Sequence, residues 1–360
     1  MTPPAKTKRC TLADVARTAQ VSRATAFAAL NKSHGTNIGI SEERRQQVLR
    51  VAAELGYIRN DLARSLASGK SKMIGVLVPS LGTQFYSDFF SALDDACFAN
   101  GYTVFVSSSK FDPEREARSL QAFLAKRVDA VIVARGEPGA HDDVLRQMQE
   151  QGITVILLGE VDVPQLPYPV VGFDEPLAAQ LAAKHLWSQG HRHVLYFNAG
   201  KVRDNSLRIH TIRRQLFLQA WQTLAGQEPV DGFETDDPLH GGIELAEHLL
   251  RLPRKQWPTA VACSMDSLAI SLSAALRTHR VKVPRDVAII GCDDIPGAVE
   301  AVVPLSTIRL PTEKIAQGVW SLLEPRLAET RPAAAVAAPE RLVIPPELIM
   351  RQSTRTPTPK

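Results

Sequence analysis

The sequence predicts an α/β protein with a small basic head of three helices, a short connecting helix, and a larger body of two lobes built on parallel sheets. Three observations point to this. Through Lys72 there are 13 lysines and arginines against 5 acidic residues, a net of +8, and the rest of the chain holds 29 against 33, a net of −4. Apolar residues in the basic stretch recur at helical spacing, whereas from Met73 onward apolar runs of strand length alternate with amphipathic helical segments. Hydrophobic residues at 44% against 22% charged supply folded cores, which excludes a disordered or fibrous chain.

The first helix is expected over TLADVART, with Leu12, Val15 and Ala16 on one side, Thr11 as N-cap and Asp14 completing a capping box. Ala19-Gln20-Val21 breaks it, and Ser22 can cap a second helix through RATAFAALN. A third is expected from Ser41 to about Leu55, where Val48, Leu49, Ala52 and Leu55 share helical spacing. Three short helices with excess positive charge fit a helix-turn-helix that meets a polyanion, and periodicity alone also fits a small packing bundle. Residues 60 to 68, NDLARSLAS, can form one or two helical turns before Gly69, too short a helix to persist in water without a partner.

The wording of this region narrows the choice. TLADVARTAQVSRAT, the Ala29-Leu30-Asn31 ending and VLRVAAELGYIRNDLARSLASGKSKMIGVLVP closely resemble the DNA-binding head, hinge and first core strand of the LacI/GalR family of bacterial transcription regulators. The resemblance implies that Arg23 and Ala24 sit where relatives read base edges, and that Thr11, Ser22, Thr25 and Asn31 hold the phosphate backbone or the turn. An arginine there suits guanine, because its fork reaches O6 and N7 together. Ala28 replaces an arginine that reads DNA in relatives, and Phe27 replaces a usual serine, so the preferred operator should differ from the commonest ones. In the hinge the resemblance places Leu66 as the wedge entering the minor groove, with Ala63 beside it and Asn60 and Arg64 flanking the backbone.

The body reads strand, helix, strand from MIGVLVP through DFFSALDDACFANG, YTVFVSS, 113 to 126, VDAVIVA, 142 to 151 and ITVILLG. The pattern restarts after Val170-Val171-Gly172 and runs through HVLYF, RRQLFLQAWQTLAG, a strand near Gly232-Phe233, GIELAEHLLRL, TAVAC, LAISLSAALRTH and VAIIG. Two lobes follow, with a ligand expected between them at the C-terminal ends of the strands. The family resemblance continues through this body and implies a periplasmic-binding-protein-like core. The expected divisions are a head at 1–59, a hinge at 60–71, a core at 72–350 and a frayed polar tail at 351–360. Crossovers are implied near 171, 301 and 332, giving one lobe of 72–171 with 301–331 and another of 172–300 with 332–350.

Carried over singly, the family's effector positions fall on Arg213 in RRQLF, Asp293 in IIGCDD, Asp266 in CSMDSLA, Phe85 after PSLGTQ, and Asp174 at the exit into the second lobe. A structural role stays open for Asp266 and Asp174, since a buried carboxylate can serve the fold alone. The resemblance implies a homodimer on a roughly palindromic double-stranded operator, most simply a repressor, controlled by a sugar, sugar acid or nucleobase. The VPSLGTQ and VVGFDE wording leans toward sugar acids, for which Arg213 would suit a carboxylate. The alternatives are a ligand-binding module that has lost or redirected DNA recognition, motivated by Phe27 and Ala28, and a regulator that uses a corepressor or activates.

No cofactor, metal site or catalysis is expected: there is no glycine-rich phosphate loop, GxSxG or HExxH, and the adjacent Asp94 and Asp95 diverge on a helix. His191 and His193 look like surface residues. Cys10, Cys97, Cys263 and Cys292 lack metal-ligand spacing and suit one surface thiol and three core fillers. Neither a signal segment nor a membrane span is apparent, which leads to a cytoplasmic expectation.

Overall fold

The computed structural model describes residues 10–30, 40–57, 69–328 and 340–354, apart from Glu160, Asp162, Gln165, 201–207, 227–229 and Pro238. The chain divides into two compact units, Met1–Ser71 and Lys72–Lys360.

In the first unit α1 spans Leu12–Thr18, α2 Arg23–Leu30 and α3 Glu42–Glu54. The capping box forms as the sequence requires: the Thr11 hydroxyl accepts from Asp14 N at 3.4 Å, and the Asp14 carboxylate accepts from Thr11 N at 3.0 Å. Gln20, at φ 54°, turns the chain between α1 and α2, and Ser22 Oγ accepts from Thr25 N at 3.0 Å to start α2. Val15, Ala16, Ala19, Ala26, Ala29, Val48 and Ala52 make the core, where the small alanines let the helices approach closely. From α3, Arg45 Nε donates to Ala29 O and Gln47 Nε2 to Ala19 O, so the third helix satisfies carbonyls left over at the ends of the other two.

The second unit is two six-stranded sheets. The first lobe contains β1 (Met73–Val78), α4 (Gln84–Ala99), β2 (Thr103–Ser108), α5 (Pro113–Lys126), β3 (Ala130–Val133), α6 (Asp142–Glu150), β4 (Thr154–Leu158) and β5 (Val170–Phe173). The second contains α7 (Glu175–Ser188), β6 (Val194–Ala199), α8 (Arg208–Ala225), β7 (Val230–Thr235), α9 (Gly242–Arg251), β8 (Ala260–Cys263), α10 (Asp266–Thr278), β9 (Ala288–Asp293), α11 (Pro296–Glu300) and β10 (Ser306–Arg309). Helix α12 (Thr312–Ala328) then packs back on α4, β11 (Arg341–Ile344) joins the first sheet beside β5, and β12 (Glu347–Ile349) joins the second beside β10. The strand orders are β11-β5-β4-β3-β1-β2 and β12-β10-β9-β8-β6-β7, with β12 antiparallel to β10. Buried alanines and aliphatics on α7 and the inner strands cover both faces of these sheets, which is why the strands read as continuous apolar runs.

The first crossover lies close to the one implied near 171, and the other two differ from those implied near 301 and 332. The first lies after Phe173, the second after Arg309 and the third between Ile344 and Glu347, so 301–309 stays with the second lobe and 341–344 returns to the first. Pairing decides this: Ser306–Arg309 lies in register with Ile290–Asp293, and Arg341–Ile344 with Val170–Phe173. Position 332 lies outside the described residues.

The tail is also not frayed from 351. Gln352–Thr354 forms a 3-10 turn whose Ser353 and Thr354 are 1% exposed. Ser353 Oγ accepts from Ser306 N at 2.8 Å and donates to Ile289 O at 2.6 Å, while Thr354 Oγ1 meets Ser306 Oγ and His185 Nε2, each at 2.7 Å. Composition hides this, because small hydroxyl residues look solvent-loving unless their buried partners are known. Ser353→Ala should leave one buried donor and one acceptor unpaired, lowering stability by about 1–3 kcal/mol. A lower urea midpoint at unchanged slope is the expected result.

Candidate functional site

In the head, the start of α2 presents a short polar surface. Ser22, Arg23 and Ala24 are exposed, and Thr25, half-buried, hydrogen-bonds its hydroxyl to Ser22 Oγ at 2.8 Å. Thr11 is exposed at the start of α1. Ala28 does not join this surface: it is 6% exposed, and five residues beyond Arg23 it points about 140° away around the helix. An alanine lacks the length to reach back from there. Asn31, Asn60, Ala63, Arg64 and Leu66 lie outside the described residues.

In the core, Arg213, Asp293 and Phe85 come together at the C-terminal ends of the strands. Arg213, from the second turn of α8, directs Nε at Glu175 Oε1 and Oε2 at 3.1 and 3.2 Å. Its Nη1 reaches Ser264 O at 3.0 Å and Asp293 Oδ1 at 3.3 Å. Burial alone would lower the pKa of Arg213, but Cys292, Glu175 and Asp293 more than offset it and keep the guanidinium charged. Asp293 is pushed up to about 6 by burial, with Arg213 pulling the other way. One turn before Arg213, His210 is held neutral, its pKa lowered to about 3 by burial and by the arginine.

Aromatic rings cover this polar floor. Phe85 packs edge-on to Tyr86 at 5.1 Å and to Phe173 at 5.7 Å, and the Arg213 guanidinium lies 5.8 Å from the Phe173 ring centre. Burial pushes the Tyr86 hydroxyl up to about 12, so it remains a neutral donor. Phe85 and Asp293 line a cavity of about 360 Å³ together with Asp88, Asp294, Arg309 and Lys314. A second cavity of about 30 Å³, room for about one water, lies against Glu175, Arg213, Tyr196 and Phe217.

Two further expected effector residues have structural partners. Asp174 caps α7, its Oδ1 accepting from Leu177 N at 2.8 Å. Asp266 is fully buried, accepting from Thr307 Oγ1 at 2.6 Å and from Ile295 N at 3.0 Å, which ties β10 and the start of α11 to α10. A side chain at Gly291 would collide with its carboxylate, which explains the glycine in IIGCDD. Sequence reasoning missed Glu175, Tyr86, Phe173 and the pair of arginines on Asp294. Asp294 Oδ2 lies 2.7 Å from Arg309 Nε and its Oδ1 2.7 Å from Arg351 Nη2. The repeated acid in GCDD was the available signal.

The model of "Bacterial regulatory proteins, lacI family" matches residues 11–60, and that of "Periplasmic binding protein-like domain" matches residues 183–354. The HTH-type transcriptional regulator DegA of Bacillus subtilis is 30% identical over 96% of this chain and 98% of its own length. The chain belongs to the LacI family of bacterial regulatory proteins. As a LacI-family member it is a DNA-binding transcriptional regulator with an effector-binding core. The HTH-type transcriptional repressor PurR of Mannheimia succiniciproducens is 27% identical over 96% of this chain and 98% of its own. A crystal structure of the Lac repressor dimer bound to operator and the anti-inducer ONPF shares the fold, with TM-score 0.79 and 24% identity over 96% and 99% of the two chains. Among the described residues of this LacI-family chain, no helix is long and apolar enough to cross a membrane.

Burial raises Asp266 from the ordinary carboxylate value of 3.8 to about 7, the nearby Asp293 adding to the effect. Because the folded value lies above the unfolded one, the native state binds the proton more tightly. The associated stability is present below 3.8 and is lost as pH rises through about 7. Measured relative to Asp266→Asn, the wild-type melting temperature should therefore fall between about pH 5 and about pH 8, the depressed His210 acting in the opposite direction in both proteins. A difference between the two profiles that stays flat or rises across the same window would contradict the assignment.

Proposed function

We propose that the protein is a cytoplasmic, non-enzymatic repressor that binds a roughly palindromic operator as a homodimer. A small polar effector in the inter-lobe cleft controls its affinity. One observation carries the proposal: relatives named as repressors match this chain across both head and core. Arg23 leads the base readout from the exposed start of α2, with Ala24 beside it and Thr11, Ser22 and Thr25 on the backbone. Asn31, Asn60, Ala63, Arg64 and Leu66 complete the contact on this proposal, Leu66 as the minor-groove wedge of a hinge helix paired across the dimer.

A second copy is supported by apolar surface on both lobes. Phe98 on α4 is 81% exposed, and Phe105 and Val106 are exposed on β2, an edge strand of the first sheet. On α9, Ile243 and Leu250 are exposed two turns apart on one face. Exposed side chains of this kind are the apolar surface available to a second copy. The effector acts by binding two lobe arrangements unequally, typically with about 1–3 kcal/mol of coupling. A ligand of equal affinity for both would change nothing.

The test is fluorescence anisotropy on duplexes from the gene's own upstream region and on duplexes selected from random sequence, against a scrambled control near ~0.15 M salt. A strong preference for one duplex is expected. Arg23→Ala should relax discrimination at a single base pair by about 1–3 kcal/mol while leaving the salt dependence largely intact. Equal binding to selected and scrambled duplexes would sink the operator-binding proposal.

A further inference from the structure

An arginine can hold a carboxylate in a fork only through two parallel N–H groups, either Nε with Nη2 or Nη1 with Nη2. On Arg213 each pair already has an engaged member. Glu175 takes Nε with both oxygens, and Ser264 O and Asp293 Oδ1 share Nη1. The guanidinium is also over-neutralised, one positive charge lying between two carboxylates whose side chains are 11% and 15% exposed. The cations on the larger cavity offer no substitute. Arg309 pairs with Asp294 and Glu347, and Lys314 pairs with Glu347 at 2.9 Å. Asp88 and Glu313 add further negative charge to the same lining.

We propose that Glu175 is a specificity-determining residue: by occupying Arg213 it bars carboxylate and phosphate ligands and restricts the cleft to uncharged or amine-bearing polyhydroxyl molecules. The proposal rests on the cleft being the effector site. An anionic ligand that displaced Glu175 would strand a buried carboxylate without its partner, which is strongly unfavourable. A hydroxyl-rich ligand meets no such conflict. Its hydroxyls donate to Asp293, and its C–H face lies against Phe85, which rests edge-on against Phe173. This runs against the lean toward sugar acids drawn from VPSLGTQ and VVGFDE. It assigns Glu175 a duty beyond opening α7, where an acidic residue is favourable for the helix end alone.

The experiment uses the full-length protein and matched sets of one aldose with its aldonate, its sugar phosphate and its amino sugar, read by calorimetry and thermal shift. In the wild type, at least one aldose or amino sugar should bind, and its aldonate and phosphate should bind roughly tenfold more weakly or worse. Glu175→Gln keeps the shape and removes the charge, so aldonate affinity should rise by about tenfold or more relative to the aldose. Glu175→Asp should keep the wild-type preference, which a merely structural role would not predict. The proposal is overturned if wild type binds an aldonate or phosphate as tightly as its neutral partner. It is equally overturned if a folded Glu175→Gln discriminates as wild type does. Failure of every compound on both proteins, with a random-sequence operator still bound, would instead reject the cleft as an effector site for this chemistry, and the proposal with it.

Discussion

A guanidinium withdrawn from water must be surrounded by acceptors, and the cleft floor is organised by how Arg213 meets that requirement. The side chain is 10% exposed, and its acceptors come from three separate places: Glu175 at the start of α7, Ser264 after β8 and Asp293 at the end of β9. Losing any one would leave charge or donors unmatched in a medium that penalises both. The ends of two strands and the first turn of a helix are thus held in mutual register by one side chain on α8. The packing of α8 on α7, with Trp187 edge-on to Trp221 and Phe217 stacked on Trp221, supplies the rigid apolar platform from which Arg213 projects.

The turn after β9 shows what this organisation costs locally. Asp293 and Asp294 have φ of 119° and 58°, in the left-handed region that side-chain-bearing residues avoid. Such a conformation persists where surrounding contacts over-determine it. Arg213 holds the first aspartate, and Arg309 and Arg351 hold the second. Arg351 belongs to the C-terminal segment whose Ser353 and Thr354 are sealed beneath β10, so the end of the chain buttresses the cleft wall. The larger cavity is lined by Leu310 and Thr312 at the second crossover and Glu347 at the third, and Phe85 on its wall packs on Phe173 at the first. A ligand there touches the segments about which the lobes would move. Unequal contacts in two lobe arrangements therefore translate directly into a shifted equilibrium.

The fold was largely legible in the residues because local signals and global pattern agree. Thr11 with Asp14, Ser22 before Arg23 and Ser41 before Glu42 each mark a helix start, and the apolar runs of the core are the inner strands. The two later crossovers were misplaced because the sequence does not say which sheet accepts Ser306–Arg309 and Arg341–Ile344. Both are short, and the choice depends on pairing, with Ile290–Asp293 for the first and with the sequence-distant Val170–Phe173 for the second. The same long-range dependence hid the buried tail, since Ser353 and Thr354 gain their places from Ser306, Ile289 and His185.

The site was legible in kind but not in state. Arg213, Asp293 and Phe85 were recognisable by position, and they do converge. What a sequence cannot carry is which donors are already engaged. Asp174 and Asp266 have the same side chain as Asp293, yet one is held by a backbone N–H at a helix start and the other by Thr307 and Ile295 N. Glu175 was passed over because an acidic residue before Pro176 is an ordinary helix opening. Its significance arises only when α8 brings Arg213 to 3.1 Å. A positively charged residue facing a cleft suggests an anionic ligand, but the inference holds only while its charge is unmatched. Here two carboxylates reverse the local sign, and the arginine that would have suited a sugar acid becomes the reason to expect a ligand without a carboxylate.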